Sequence, residues 1–418
     1  MPQSNRGHAT PAKIRTILLS LIFCLAALPC FSQQTATSAR PLVVGYFRGD
    51  SMRQQFFAKN LISSGAAAML DQINYSQANI ADNRCIVANR AVDLDYSFTA
   101  ENSVDGTADN PQTPFRGNFH QLQELKRRYP HIKILISLEG DPKLFVKAAQ
   151  PENRNAFVAS CIRQFIQGKV ADGIDTPGLF DGIDIDWEYP LESDKLNFVA
   201  LLAEFRHQLD AIGKGFLLTV AMGTDRSAYQ HLDMATVSLY SDEVGVMNYD
   251  YAGPWSKRTG LVAPLYSSPG DPETDGDVAT SIRNFKAAGV PASRMLMGMP
   301  FYAYSWSGVA KENHGLFQLG EPKQDDVPYT YIVAIQKNFT VYRDPKSLAP
   351  WLFDGTTFWT YDDDRSIGAK AEYAKEQNLR GIMIWELSGD TADGKLIKTI
   401  SAGLGRHDET GGTSQKPQ

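Results

Sequence analysis

The chain has 418 residues, of which 43% are hydrophobic and 21% are charged, and its formal net charge is −6. This composition is typical of a globular protein. The acidic balance argues against nucleic acid and against anionic lipid as partners.

Residues 1–32 have the pattern of a secretory signal peptide. Lys13 and Arg15 precede an apolar run at 17–28, and a small residue, Ser32, follows it. We predict cleavage after Ser32 and a secreted or periplasmic protein with no membrane association after cleavage. A retained anchor stays open as the alternative, although the run is short for a membrane span.

Two cysteines, Cys85 and Cys161, remain after this cleavage. Export permits a disulfide between them, but two cysteines are too few to indicate a disulfide scaffold, and two buried free thiols are equally compatible. The sequence has no CxxC and no histidine cluster, so we predict no metal. No GxGxxG follows the first predicted strand, and we predict no cofactor.

Eight short apolar segments are predicted as strands, and longer amphipathic segments between them as helices. The predicted strands are 42–47, 66–75, 133–138, 182–187, 216–221, 243–248, 295–299 and 381–385. The predicted helices are 118–129, 153–167, 191–212, 281–288, 366–377 and 394–404. The alternation predicts a parallel α/β sheet. Eight strands favour a closed (β/α)8 TIM barrel, while the periodicity alone leaves an open doubly wound sheet possible.

The fourth predicted strand carries the densest group of acids in the chain. Asp184, Asp186 and Glu188 alternate there with apolar residues, so on a strand they share one face at successive distances of about 6.5 to 7 Å. Crowded carboxyls raise the pKa of at least one member, and a carboxyl with a raised pKa can act as a general acid. Asp181 has the opposite parity, for which we expect a structural role.

The segment has two other interpretations. A solvated edge strand would also alternate polar and apolar residues, but these acids crowd the C-terminal end of the strand, which is where barrel active sites lie. An EF-hand calcium loop requires oxygen ligands at its third and fifth positions and Gly at its sixth. Ile183, Ile185 and Asp186 occupy those positions, so the calcium loop fails.

The segment resembles the DxxDxDxE signature of family 18 glycoside hydrolases, the chitinases. It matches at Asp181, Asp184, Asp186 and Glu188. On this resemblance Asp181, together with Ser137 at the end of the third strand, is expected among the substrate-binding residues. The resemblance covers most of the chain after residue 40 and implies the closed barrel. We therefore predict a linker at 33–40, a catalytic barrel at 41–404 and a disordered tail at 405–418.

The resemblance also implies roles for the acids. Glu188 is the expected general acid and then base, and Asp186 is expected to hold the acetamide of the substrate. Asp184 is expected to share a proton with Asp186, so that the two titrate together. In this family the acetamide itself is the nucleophile, so the reaction retains the anomeric configuration.

The sixth strand ends in a segment that resembles the family motif MxYD. There Tyr249 is expected to donate a hydrogen bond to the acetamide oxygen, a contact that strengthens as charge develops. Met247 and Asp250 are expected to line the −1 subsite, where the reacting sugar lies. A strand end with a satisfied tyrosine is the alternative.

Aromatic residues at other strand ends match further positions of the family. Trp385 is the expected floor beneath the −1 sugar, and Trp255 is expected beside the leaving-group sugars. Tyr46 and Tyr302 match lining positions more loosely, and for both of them a purely packed role in the core remains open.

The third strand departs from the family. It usually ends SxGG, often followed by Trp, whereas here Ser137 and Gly140 are kept, Glu139 replaces the first Gly, and Asp141 stands where an aromatic residue is expected. We expect catalysis to survive because the acid cluster is intact. Loss of an aromatic platform disfavours processive action on crystalline chitin and favours soluble chito-oligosaccharides or amorphous chitin.

More than sixty residues separate the seventh strand from the helix at 366, and they are rich in aromatic side chains. This region, roughly 302–362, resembles the small α+β insertion of many family members, with antiparallel strands at 340–342 and 357–359. An ordinary surface excursion is the alternative.

The predicted function is hydrolysis of the β-1,4 bonds of chitin or chito-oligosaccharides by a monomer. A non-catalytic chitin-binding lectin of the same fold is the first alternative, and the presence of Glu188 argues against it. An endo-β-N-acetylglucosaminidase acting on N-glycans is the second, and the insertion argues against that one. The predicted partner is the chitin or chito-oligosaccharide substrate.

Overall fold

The computed structural model describes residues 40–110, 112, 115–271 and 276–406. The predicted signal peptide, all of the predicted linker except Arg40, and residues 407–418 of the predicted tail lie outside the described residues.

The described chain alternates strands and helices along most of its length. The strands are β1 Leu42–Arg48, β2 Gln72–Ala81, β3 Arg84–Val87, β4 Lys133–Leu138, β5 Gly182–Ile185, β6 Leu217–Gly223, β7 Glu243–Met247, β8 Met295–Pro300, β9 Tyr302–Ser307, β10 Glu321–Pro322, β11 Val327–Pro328, β12 Thr340–Arg343, β13 Pro350–Phe353, β14 Phe358–Thr360 and β15 Gly381–Trp385. The helices are α1 Ala58–Ser63, α2 Arg90–Asp93, α3 Gly117–Arg128, α4 Pro142–Ala148, α5 Pro151–Cys161, α6 Lys195–Ile212, α7 Arg226–Tyr229, α8 Met234–Tyr240, α9 Val278–Ala287, α10 Tyr329–Ile335, α11 Asp364–Glu376 and α12 Lys395–Gly403.

Eight parallel strands close into a barrel in the order β1, β15, β8, β7, β6, β5, β4, β2, and β1 pairs with β2 to complete the ring. These strands are apolar on both faces because the interior and the helices each cover one, as parallel sheets require. The (β/α)8 TIM barrel predicted from the sequence is confirmed. Within the described ranges, no helix is both long and apolar enough to cross a membrane.

The second strand differs from its prediction at both ends. Residues 66–68 form a turn of 3₁₀ helix rather than strand, and β2 continues past Tyr75 to Ala81. Its extension turns back as β3, which pairs with it antiparallel and which the sequence pattern did not predict. The fourth strand is shorter than predicted, since β5 ends at Ile185, and Asp186 and Glu188 therefore lie just beyond it.

A disulfide joins Cys85 in β3 to Cys161 at the end of α5. The main-chain N–H of Cys85 also donates to Ser160 Oγ at 3.0 Å. The hairpin that extends the barrel is thereby fixed to a helix of the outer layer. Of the two states that the sequence left open for these cysteines, the structure has the disulfide.

The predicted α+β insertion lies between β8 and α11. Its strands β9 to β14 form an antiparallel sheet, with α10 packed beside it. Trp306, Trp351 and Phe358 form the centre of a separate hydrophobic cluster on this sheet. The aromatic residues of this segment thus form a small core of its own.

The predicted disordered tail begins too early. Gly405 and Arg406 are described, and Arg406 Nη1 lies 2.7 Å from Asp71 Oδ2, so this end of the chain is packed against the barrel. Asp71 also pairs with Arg40 and accepts the main-chain N–H of Val43 at 2.8 Å. The reason is electrostatic: a largely buried carboxylate requires charged or hydrogen-bonding partners.

Candidate active site

A cleft of about 480 Å³ opens at the C-terminal ends of the barrel strands. Nine residues that the sequence predicted for the site line it: Tyr46, Asp186, Glu188, Met247, Tyr249, Asp250, Trp255, Tyr302 and Trp385. Ser137 and Asp184 lie beneath its floor, inside the barrel. The position agrees with the general location of active sites in this fold.

Asp184 is fully buried and accepts three hydroxyl hydrogen bonds. Tyr46 Oη and Ser137 Oγ donate to its Oδ2 at 2.7 and 2.9 Å, and Thr219 Oγ1 donates to its Oδ1 at 2.5 Å. The strand register explains two of these, because Ser137 and Thr219 are the direct neighbours of Asp184 in β4 and β6. Burial raises the pKa of Asp184, and the three hydroxyls oppose that rise.

Asp186 follows β5 directly and is held by its main-chain N–H, which donates to the carbonyl of Leu138 at 3.0 Å. The pKa of its carboxyl is raised well above the usual range, first by burial and then by the charges of Glu188, Glu139 and Asp184. The side chains of Asp186 and Glu188 lie within hydrogen-bonding reach of each other, which raises the pKa of Asp186 further and lowers that of Glu188. Its Oδ1 has no hydrogen-bond partner among the described residues.

The proton predicted to be shared between Asp184 and Asp186 stays a prediction. Both carboxyls lie in one buried cluster, and the charge of Asp184 contributes to the raised pKa of Asp186. Glu188 is a second carboxyl neighbour of Asp186, and the pKa of Asp186 depends on both.

Glu188 is open to the cleft, in contrast to the buried Asp186. The surrounding protein still removes enough water from its carboxyl to raise its pKa, while hydrogen bonds with Tyr189 and Asp186 oppose the rise. An accessible carboxyl that keeps its proton at higher pH than usual fits the requirements of a general acid.

Another part of the cleft lining comes from residues at the ends of β7 and β8. Tyr249 is buried, and its ring lies edge-on to Tyr302, with centroids 6.0 Å apart. Tyr302 Oη donates to Asp250 Oδ1 at 2.5 Å. Burial raises the pKa of Asp250 to about 6, and the hydrogen bonds from Tyr302 and Tyr304 limit that rise.

Two tryptophans present aromatic faces to the cleft. Trp385 packs against Tyr46, with ring centroids 5.2 Å apart, and forms part of the cleft floor. Trp255 is 62% exposed and lies edge-on to Tyr304 at 5.8 Å. Tyr46 and Tyr302 are buried and also line the cleft, so the core role and the lining role are both fulfilled.

The structure does not bring Asp181 to the cleft. It precedes β5, at the opposite end of the barrel, and its carboxylate pairs with Lys126 Nζ at 2.6 Å and Lys133 Nζ at 3.4 Å. It also accepts the main-chain N–H of Ile134 at 2.9 Å. Its inclusion with the substrate-binding residues is therefore not supported, and the structural role expected from its parity is the one observed.

Sequence reasoning missed several residues of the site. Thr219 could have been found as the single polar side chain in an otherwise apolar strand, and Tyr189 as the neighbour of Glu188. Tyr304, Asp225 and Asp326 also line the cleft, but they lie in loops or in the insertion, where no local pattern marks them. In the described ranges, no group of three or more His, Cys, Asp and Glu is arranged to hold a metal ion.

Comparisons with known proteins agree with this geometry. The family model for glycosyl hydrolases family 18 matches residues 42–390. Chitinase 63 of Streptomyces plicatus is 33% identical over 380 residues, which are 86% of this chain and 60% of the relative. Chitinase C of Streptomyces lividans is 33% identical over 374 residues, 84% of this chain and 58% of the relative. The chain thus spans about three-fifths of the length of these curated relatives.

Solved structures give the same result. The catalytic domain of psychrophilic chitinase B from Arthrobacter TAD20 superposes with a TM-score of 0.80 at 30% identity, covering 88% of this chain and 95% of that one. A family 18 N-acetylglucosaminidase from Paenibacillus barengoltzii gives a TM-score of 0.70 at 30% identity, covering 87% and 99%. Fold, acid cluster and family match converge on one conclusion: this chain belongs to glycosyl hydrolases family 18.

Proposed function

We propose that this protein is a chitinase, which hydrolyses β-1,4 bonds between N-acetylglucosamine units with retention of configuration. The observation that carries the proposal is the adjacent pair of carboxyls of Asp186 and Glu188, which line the cleft together with Tyr249 and Trp385. Several relatives are named chitinases, and a similar structure is titled as Ostrinia furnacalis Group IV chitinase in complex with allosamidin, with 25% identity and a TM-score of 0.70.

In this proposal Glu188 is the general acid. Its carboxyl is open to the cleft and has a raised pKa, so it can protonate the glycosidic oxygen as the bond breaks. After the leaving sugar departs, the same carboxylate accepts a proton from water. The two roles follow in sequence because the proton lost in the first step is regained in the second.

The position of Asp186 favours the acetamide of the substrate as the nucleophile. Asp186 lies within hydrogen-bonding reach of Glu188, so both carboxyls approach the sugar from the same side, whereas an enzymic nucleophile must attack from the face opposite the leaving group. Asp186 is better placed to hold the acetamide and to stabilise the positive charge that develops on it. Tyr249 donates to the acetamide oxygen, and the ring of Trp385 supports the apolar face of the sugar.

Soluble or amorphous substrates fit the cleft best. Asp141 stands where an aromatic platform would extend it, and this residue is exposed and caps α4 by accepting the main-chain N–H of Lys143 at 2.9 Å. Trp255 is an exposed platform on the leaving-group side. A sugar chain that is held by few aromatic faces dissociates easily from the cleft, which argues against processive action.

The test is hydrolysis of N-acetylglucosamine oligomers by the wild type and by Glu188→Gln, with the anomer of the fresh product determined by NMR. We expect the wild type to release the β-anomer first. The variant should lose about 10³-fold in kcat, the loss typical of a missing general acid, and keep its affinity for the oligomer. Glu192→Gln is the matched control, since Glu192 is an exposed acid four residues on that pairs with Lys195.

The other outcomes identify the alternatives. Tight binding without wild-type turnover would indicate a chitin-binding lectin, and turnover of N-glycans alone would indicate an endo-β-N-acetylglucosaminidase. An α-anomer released first would contradict the retaining mechanism while leaving the substrate class intact.

We also propose that the protein is exported. The basic and apolar pattern of residues 1–32 supports this, as does the Cys85–Cys161 disulfide, because disulfides persist mainly in oxidising compartments. Amino-terminal sequencing of the protein recovered from outside the cytoplasm tests it, with Gln33 expected as the first residue.

A further inference from the structure

One acid near the cleft, Glu139, has no role in the mechanism above. It follows Leu138, the last residue of β4, and Leu138 pairs with Ile185 of β5. Continuing this register, Glu139 is the neighbour of Asp186 on the adjacent chain segment. Two residues earlier, Ser137 is in the same way the neighbour of Asp184. Side chains at these alternate positions face the same way, so β4 and β5 together contribute a second row of carboxyls above the buried Asp184.

The surroundings of Glu139 are mixed in charge. Asp184, Asp186 and Glu188 act on it from the β5 side, Arg48 acts from the end of β1, and Ser76 of β2 donates a hydrogen bond to its carboxyl. Its main-chain N–H donates to the carbonyl of Ala78 at 3.2 Å, which fixes the backbone. Its Oε1 is buried and has no hydrogen-bond partner among the described residues.

We propose that Glu139 is a positioning residue of the catalytic cluster: its negative charge holds the shared proton on Asp186 and Glu188, so that Glu188 stays a competent acid at higher pH. The proposal rests on the proposed function. A neighbouring negative charge disfavours the ionised form of a carboxyl, which is the sign this effect requires. Three mutually interacting carboxyls lose their protons in shared steps rather than one by one.

The pKa of Glu139 itself is consistent with a mutual effect among these carboxyls. Burial, Asp184 and Glu188 raise the pKa of Glu139 to about 7, against the effect of Arg48 and Ser76. Above that pH Glu139 is ionised and opposes the loss of the proton from its neighbours. Below it, Glu139 is neutral and exerts no such effect, so the effect belongs to the alkaline limb of the pH profile.

The experiment measures kcat/KM against pH on N-acetylglucosamine oligomers for the wild type, Glu139→Gln and Glu139→Gly. Both variants remove the charge, and the second also removes the side chain. We expect the alkaline limb of both to move to lower pH by about one unit, the size expected for a charge at this separation in a partly screened site. Glu139→Asp, which keeps the charge, should retain most of the wild-type limb.

Asp141→Asn is the matched control. It removes one negative charge two residues away and keeps a side chain able to cap α4, but Asp141 is exposed, so solvent screens it. Its alkaline limb should coincide with that of the wild type. The proposal would be overturned if the alkaline limb of the kcat/KM profile kept its pH in both Glu139→Gln and Glu139→Gly. It would also be overturned if Asp141→Asn shifted that limb by as much as the Glu139 variants do.

The proposal can also be tested without turnover. Carboxyl ¹³C NMR titration of Glu- and Asp-labelled protein reports protonation of Asp186 and Glu188 directly, with Glu188→Gln used to assign the signals. Their apparent pKa values should fall in Glu139→Gln. If the wild type hydrolyses no chito-oligosaccharide, the proposed function fails, while this titration still supports or contradicts the placement of Glu139.

Discussion

At the scale of single residues, the alternation of acids in 181–188 was enough to predict which side chains meet at the cleft floor. It could not predict their hydrogen bonds. Those depend on Ser137 and Thr219, which come from strands on either side of β5 and whose register with Asp184 no local pattern shows. Their hydroxyl groups donate to Asp184 and oppose the rise in its pKa that burial causes.

Tyr249→Phe isolates one hydroxyl of the cleft lining. Since the proposed hydrogen bond to the acetamide strengthens as charge develops, its loss should lower kcat by about 10²-fold and change KM little. Steady-state kinetics on a short chito-oligosaccharide gives both values. A change confined to KM would mean that Tyr249 contributes only to ground-state binding.

At the scale of elements, the strands and long helices followed from apolar periodicity, with their ends displaced by a few residues. The state of Cys85 and Cys161 did not follow from it. The two cysteines are 76 residues apart, and only the β2–β3 hairpin carries Cys85 to α5. The sequence pattern does not show that hairpin, because the predicted second strand ends at Tyr75.

Replacement of both cysteines by serine tests what this disulfide contributes. The free energy of unfolding should fall by about 3 kcal/mol, the usual effect of a cross-link that closes a long loop. Urea denaturation of the wild type, the double variant and the reduced wild type measures it. The last two should agree, and a double variant as stable as the oxidised wild type would show that the disulfide adds no net stability.

At the scale of the whole molecule, the barrel and the insertion enclose a cleft that is lined by acidic residues and no basic ones. Asp186, Glu188, Asp225, Asp250 and Asp326 line it, and no lysine or arginine is among the described lining residues. The formal net charge of −6 has the same sign. The net charge can be counted from the sequence, but the grouping of acids in the cleft cannot be predicted from it, because Asp225 and Asp326 reach the cleft from separate loops.

This charge predicts different salt dependences for two related substrates. Fully acetylated oligomers are neutral, so their KM should not depend on sodium chloride. Partly deacetylated oligomers carry ammonium groups, and their KM should rise with salt, most clearly above pH 6, where Asp250 is ionised. The acetylated series is the internal control, and equal salt dependence in both series would contradict an electrostatic contribution from the cleft.

The exposure of Trp255 has a practical consequence for following the bound state. Of the six tryptophans in the chain, it is 62% exposed, whereas Trp187, Trp306 and Trp351 are between 0% and 6% exposed, and the remaining two are half-buried. Caesium ions dissolved in the buffer, which the acidic lining of the cleft does not repel, therefore quench mainly the fluorescence of Trp255. A sugar lying on that ring shields it, so the loss of quenching would report occupancy of the proposed leaving-group side of the cleft in unlabelled protein.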